Sequence, residues 1–276
     1  MVRLIACCVF AGIWALAASA EGAVVGSPYA NSVLADQPMV YYGFDETGGA
    51  VAVDTSGHGY AGTYAGAGYT LGQPAAYPAL GTAVAFPGTD GPDAGRVAVP
   101  DLSTGTVTAF TVEFWVRLNS RRNQQAYYHT NGWQAGALHL FGTSGTNAFC
   151  LQSNTPTDAN LDDNTQGQWH HLVFTYDTAT GQVMQYLDAG SPQTYTFVSS
   201  AGVPFDPATI GAWYWDGGGQ WIRSLDGAMD EFAVYNKVLS ASEVQAHFDA
   251  ASVPEPGLTT LLVLGGLVGL KRRKLR

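Results

Sequence analysis

The sequence predicts an all-β protein, an antiparallel two-sheet jelly-roll sandwich with one short C-terminal helix. Three observations predict it. Apolar and polar residues alternate with a period of two in many short segments, as half-buried strands require. Gly and Pro, 34 and 13 of 276 residues, cluster between those segments as turns. Helical periodicity is confined to one short stretch near residue 245. The Gly and Pro content excludes an all-α bundle. Seven Trp, 14 Tyr and 12 Phe supply a core and exclude a disordered chain.

In chain order, residues 1–20 have the pattern of a secretory signal peptide. Arg3 is its positive start, Leu4 to Ala17 its apolar stretch, and Ala18-Ser19-Ala20 its small-residue cleavage site. Export predicts a mature chain from Glu21 that keeps only Cys150 and forms no internal disulfide. Residues 21–36 read as a linker and 37–250 as the sandwich. Strands are predicted at 39–45, 82–86, 95–99, 110–118, 137–141, 147–152, 169–176, 182–187, 193–198, 208–213 and 228–235. The cleanest is 110–118, where Phe110, Val112, Phe114, Val116 and Leu118 share one face. Ser240-Ala241-Ser242-Glu243 is a capping box, with Leu239 and Val244 placed as a hydrophobic staple. Residues 253–276 form a separate tail. Pro254, Glu255 and Pro256 precede an uncharged helical stretch, 257–270, and a basic end containing Lys271, Arg272 and Arg273. Fourteen helical residues reach about 21 Å, so the stretch is a short transmembrane helix that relies on its basic flank to hold orientation.

Two family resemblances follow from these segments. The strings YYGFDETGGAVAVDTSGHGYAGTY (41–64), FTVEFWVRL (110–118), WHHLVFTYDTATGQVMQYLDAG (169–190) and LDGAMDEFAVYNKVLSASEVQAHF (225–248) occur in the order of a laminin-G-like, concanavalin A-like domain, which it resembles over about 210 residues. That family includes lectins, carbohydrate-binding modules, adhesion modules and glycosidases, so it implies the fold rather than the function. The tail resembles the PEP-CTERM sorting signal of Gram-negative bacteria. This implies export through the general pathway, transient anchoring in the inner membrane, an exosortase-type processing partner, and delivery to the cell surface or extracellular matrix.

Charge and motifs narrow the function. Residues 21–252 hold 21 acids and six bases, a balance that repels phosphate backbones and excludes nucleic acid as a partner. No Glu-x-Asp-x-x-Glu string, no Gly-x-Ser-x-Gly elbow and no His-Glu-x-x-His pair is present. Adjacent Asp230 and Glu231 on a regular strand face opposite sides, and His170-His171 fall within a core strand. The chain is therefore expected to be non-catalytic. Trp115 and Trp169 are expected in packing roles. Trp213, Tyr214, Trp215 and Trp221 crowd a Gly-rich connection and are the candidate glycan platform, with Asp216 and Gln220 placed to bond hydroxyls. Tyr127, Tyr128 and Trp133 read as a second aromatic loop. The laminin-G resemblance also implies a structural Ca2+ at Asp54 and Asp230; the alternative is an Asx turn at Asp54 and a hydrogen bond at Asp230. A second acidic stretch, Asp158 to Asn164, starts like a calcium loop but lacks its Gly and its closing acid. The expected function is a secreted, surface-sorted binding module for glycan or matrix polymer. The alternatives are a purely structural surface protein and a divergent glycoside hydrolase.

Overall fold

The computed structural model describes residues 26–102, 105–130, 132, 136–151, 157–161, 165–197, 202–215 and 217–253. The signal-peptide and sorting-tail expectations, together with Trp133 and Asp216, lie outside those residues. The chain begins with α1 (Pro28–Ala35), β1 (Val40–Tyr42), β2 (Val51–Ala52), β3 (Gly62–Ala65), β4 (Thr70–Pro74) and β5 (Thr82–Pro87). It continues through β6 (Arg96–Val99), β7 (Ala109–Leu118), β8 (Gln125–Thr130), β9 (Leu138–Gly142), β10 (Asn147–Leu151) and β11 (Thr157–Leu161). Then follow β12 (Trp169–Asp177), β13 (Gln182–Leu187), β14 (Gln193–Thr196), β15 (Ala208–Ile210), β16 (Trp213–Trp215), β17 (Gln220–Ile222), β18 (Asp226–Tyr235) and α2 (Ala241–Ala251).

Two eight-stranded antiparallel sheets stack face to face. One runs β14-β13-β12-β7-β18-β5-β4, with β1 also paired to β18; the other runs β11-β10-β9-β8-β15-β6-β3-β2. The alternation of β7 decides its two faces. Phe110, Val112, Phe114, Val116 and Leu118 enter the core between the sheets, beside Leu172, Phe174 and Tyr176 of β12. Trp115 enters a second apolar layer, where α1 and α2 roof the outer face of the first sheet with Tyr29, Val33, Leu239 and Val244. Both faces of β7 are thus buried, which is why Trp115 packs rather than binds. The capping box of α2 forms as expected: Ser240 N donates to Glu243 Oε2 (2.6 Å) and Glu243 N donates to Ser240 Oγ (3.3 Å). Its staple residues, Leu239 and Val244, are both buried.

Four expectations are corrected. Pro28–Ala35, in the stretch read as a linker, is a helix with Ser27 Oγ accepting from Ala30 N and Pro at its start. Tyr127 and Tyr128 are core residues of β8, not an exposed loop. A bulge between Ala126 and Tyr128 adds a residue to the strand, so two neighbouring rings both turn inward. Residues 158–161 of the second acidic stretch, whose pattern reads as a loop, lie in strand β11. The opposite-face argument for Asp230 and Glu231 also fails, because β18 bulges there and Glu231 takes a φ of 53°. The bulge keeps Met229, Phe232 and Val234 in the core by absorbing the extra residue beside the carboxylates.

Beneath the helical roof lies an ionic chain, buried at Glu113 and His247 and reaching the surface at Lys237 and Glu243. Glu113 accepts from Tyr235 OH (2.8 Å) and meets His247 Nδ1 (3.0 Å); His247 Nε2 meets Asp36 Oδ2 (3.1 Å); Asp36 and Glu243 both hold Lys237. This chain joins β7, both helices' neighbourhoods and the end of β18.

Candidate functional site

β16 and β17 form a separate two-stranded hairpin, in register Trp213 with Ile222, Tyr214 with Trp221 and Trp215 with Gln220. Strand alternation divides the four predicted aromatics. Trp213 and Trp215 share one face; Tyr214 and Trp221 share the other. Trp213 turns toward the second sheet, with its ring centroid 6.1 Å from His129 and 5.6 Å from His139 and Arg223 lying 4.6 Å from it. It anchors the hairpin. Tyr214 and Trp215 are 40% and 44% exposed.

The glycines explain Trp215. Gly218 N and Gly219 N both donate to the Trp215 carbonyl, and Gly219 takes a φ of 61°. The Trp215 indole folds over this turn. A Cβ at Gly217 would lie 2.8 Å from its Nε1, and a Cβ at Gly218 would lie 2.3 Å from its Cε3. Only glycine leaves room for the ring. The residue is nonetheless exposed, and an exposed indole can stack on a flat sugar face. On the opposite face, Tyr214 and Trp221 rings are 5.0 Å apart. Trp221 is pinned by paired backbone hydrogen bonds to Gly91 and carries the Arg96 guanidinium 3.9 Å from its ring centroid. Burial lowers the Arg96 pKa against the pull of Asp93. Arg96 and the glycine floor were missed from the sequence. A rare base in an acidic chain was the one signal that pointed to Arg96.

The two aspartates of the calcium expectation differ. Asp54 Oδ1 accepts from Tyr41 N (3.1 Å) and Ser56 N (2.9 Å), and Oδ2 accepts from Tyr60 N (2.8 Å). The Asp54–Ser56 bond is an Asx turn. Asp230 is fully buried, and neither carboxylate oxygen meets a hydrogen-bond partner of good geometry, although the Glu231 N–H is near enough to pull its pKa down. Burial, then the Glu231 and Asp45 charges, push its pKa well up. Glu231 is raised by burial as well and accepts from Tyr41 OH. Tyr41 links Asp54 to Glu231, with its N–H on Asp54 and its hydroxyl on Glu231. Among the described residues, no group of three or more His, Cys, Asp and Glu is arranged to hold a metal. His170 bonds Asp188 through Nδ1 (2.7 Å) and accepts from Thr165 N at Nε2, while His171 stacks on Trp115, so both serve packing.

Residues 90–245 match the family model of the concanavalin A-like lectin/glucanases superfamily. The chain belongs to this superfamily. Solved structures of similar fold include the binding domain of botulinum neurotoxin DC in complex with SialylT, at 16% identity and a TM-score of 0.60, covering 79% of this chain and 52% of that one. A botulinum neurotoxin type C structure, described as depending on two ganglioside molecules for cell entry, aligns at 14% identity and 0.61, covering 81% and 53%. The superfamily member thus spans about half the length of these toxin chains. Domain 4 of an extracellular arabinanase from Geobacillus stearothermophilus, in complex with arabinotriose, aligns at 18% identity and 0.56, covering 84% of this chain and all of that one. At these identities the likeness establishes the fold. No curated protein matches the sequence.

Proposed function

We propose that this chain is a non-catalytic glycan-binding module, secreted and sorted to the cell surface or matrix through its 253–276 tail. The observation that carries the binding reading is Trp215, an exposed indole held over a glycine floor. Tyr214 adds a second exposed ring. Support comes also from the solved domains of this fold bound to SialylT and arabinotriose. The two carboxylates whose pKa values burial raises most, Asp230 and Glu231, are closed from solvent and so favour a non-catalytic role. The sorting role rests on the order of Pro254-Glu255-Pro256, apolar stretch and basic end, and its partner is an exosortase-type enzyme. Structural calcium rests on Asp230, whose open carboxylate oxygens fit a hard cation; Asp54 is already engaged by three N–H groups.

Retention of the purified full-length chain on a glycan array tests the binding reading. The wild type is expected to hold at least one polysaccharide class, and Trp215→Ala is expected to abolish retention while the melting temperature hardly moves. A wild type that holds no glycan would favour the purely structural alternative.

A further inference from the structure

We propose that the hairpin selects an acidic glycan, a polysaccharide bearing carboxylates, through Arg96. This rests on the glycan reading and adds to it a subsite on the Tyr214–Trp221 face of the hairpin, opposite the face that carries Trp215. Residues 21–252 carry only six bases among 21 acids. Lys237 holds Asp36 and Glu243, and Arg122 pairs with Asp90. Arg96, like Arg117 over Trp169, lies against an aromatic ring instead. Its Nη1 donates to the Ala94 carbonyl (2.8 Å), its guanidinium carbon lies over the Trp221 ring 3.9 Å from the centroid, and among the described residues it has no ion pair. Asp93 is near enough to be felt but makes no contact.

A guanidinium has five N–H donors in a planar fork. Stacking on an indole occupies the face and leaves the edge donors for hydrogen bonds. The planar partner that matches two parallel donors is a carboxylate. The same hairpin face carries Tyr214, 5.0 Å from Trp221 and exposed to solvent. A sugar ring stacked on Tyr214 would therefore have a carboxylate-binding cation one ring away. Uronate polymers repeat such a pairing of sugar face and carboxylate. The net negative body repels an acidic polymer at long range, but exposed charges are screened beyond about 8 Å at physiological salt, so a local cation governs contact.

The test compares retention of the full-length chain on polygalacturonate, alginate and hyaluronan with retention on the carboxyl-reduced form of each. The expected result is at least about tenfold tighter binding to one uronate than to its reduced form, a preference that Arg96→Gln brings within about twofold. Arg96→Lys, which keeps the charge without the fork, is expected to keep an intermediate preference. Melting curves of the variants identify any that fail to fold, and the Lys variant then carries the comparison. Equal or tighter binding to the reduced polymers would overturn the inference and leave the glycan reading standing. An unchanged preference in folded Arg96→Gln would overturn the assignment to Arg96. Retention on neither form would overturn the inference, and retention of the same preparation on an array of neutral glycans would separate that failure from failure of the glycan reading.

Discussion

Trp215 is oriented by residues that have no side chains, so its function can be removed without touching it. Gly218→Ala places a methyl where the ring lies, 2.3 Å from Cε3, and forces the indole off the turn. The position is exposed, so stability should change by no more than about 0.5 kcal/mol. Glycan retention should fall as far as in Trp215→Ala; retention at the wild-type level would remove Trp215 from the site. Asp230 has the opposite character, a side chain without a hydrogen bond of good geometry. Its raised pKa means that the folded state holds a proton that the unfolded state releases above the ordinary value of 3.8. The group therefore costs stability increasingly as pH rises. In chelator at neutral pH, Asp230→Asn should melt at or above the wild type. Calcium that bound only the native wild type would add about 2.7 kcal/mol at a hundredfold excess over Kd and would add nothing to the variant. Wild-type melting that ignores calcium would end the cation proposal. Asp54→Ala should lose roughly 1–3 kcal/mol with or without calcium, because it strips three backbone N–H groups of their acceptor.

At the scale of elements, α2 is tied to β7 by charge as well as by apolar contact. Burial alone would lower the His247 pKa, but the Glu113 and Asp36 carboxylates outweigh it and push it up to about 9. Its contribution is fully present below the ordinary histidine value of 6.5 and is lost as pH rises through about 9. Burial would raise Glu113, yet His247, His171 and Tyr235 hold it below its ordinary value, so its contribution is lost only as pH falls below 4.5. Melting temperature followed from pH 6 to 10 should decline toward the alkaline end. His247→Gln should flatten that decline and cost roughly 3–5 kcal/mol near pH 7, since it leaves Glu113 buried beside a lost cation. A parallel decline in the variant would separate the pH dependence from this pair. What the sequence disclosed at this scale was local. The capping box of α2 and the alternation of β7 are written in neighbouring residues and form as read. The bulges at Tyr127 and at Glu231 are not, because an extra residue is visible only against the partner strand. The hairpin was legible as aromatic density around glycines, but its division into two faces depended on where the turn fell. Arg96 reaches it from β6, more than a hundred residues away in the chain, so no local pattern could have joined them.

At the scale of the whole molecule, the family match spans 90–245, yet α1 and β1 to β5 precede it and complete both sheets and the roof. The fold class was readable because alternation, turns and aromatics repeat over the entire length. α2 ends with Ala251 buried against the roof and Ser252 capping its last turn. In the proposed sorting role, the charges at the far end, Lys271 to Arg276, serve a different task from the acidic body that precedes them. Positive residues beside an apolar stretch hold that side of the chain in the cytoplasm. Deleting Lys271 to Arg276 should therefore leave the melting temperature of the chain unchanged while altering its distribution between inner membrane and surface in a Gram-negative host that carries the sorting enzyme. Fractionation of that host measures the distribution directly. Undiminished surface display of the truncated chain would overturn the sorting role, and a lowered melting temperature would instead place part of the tail in the folded body.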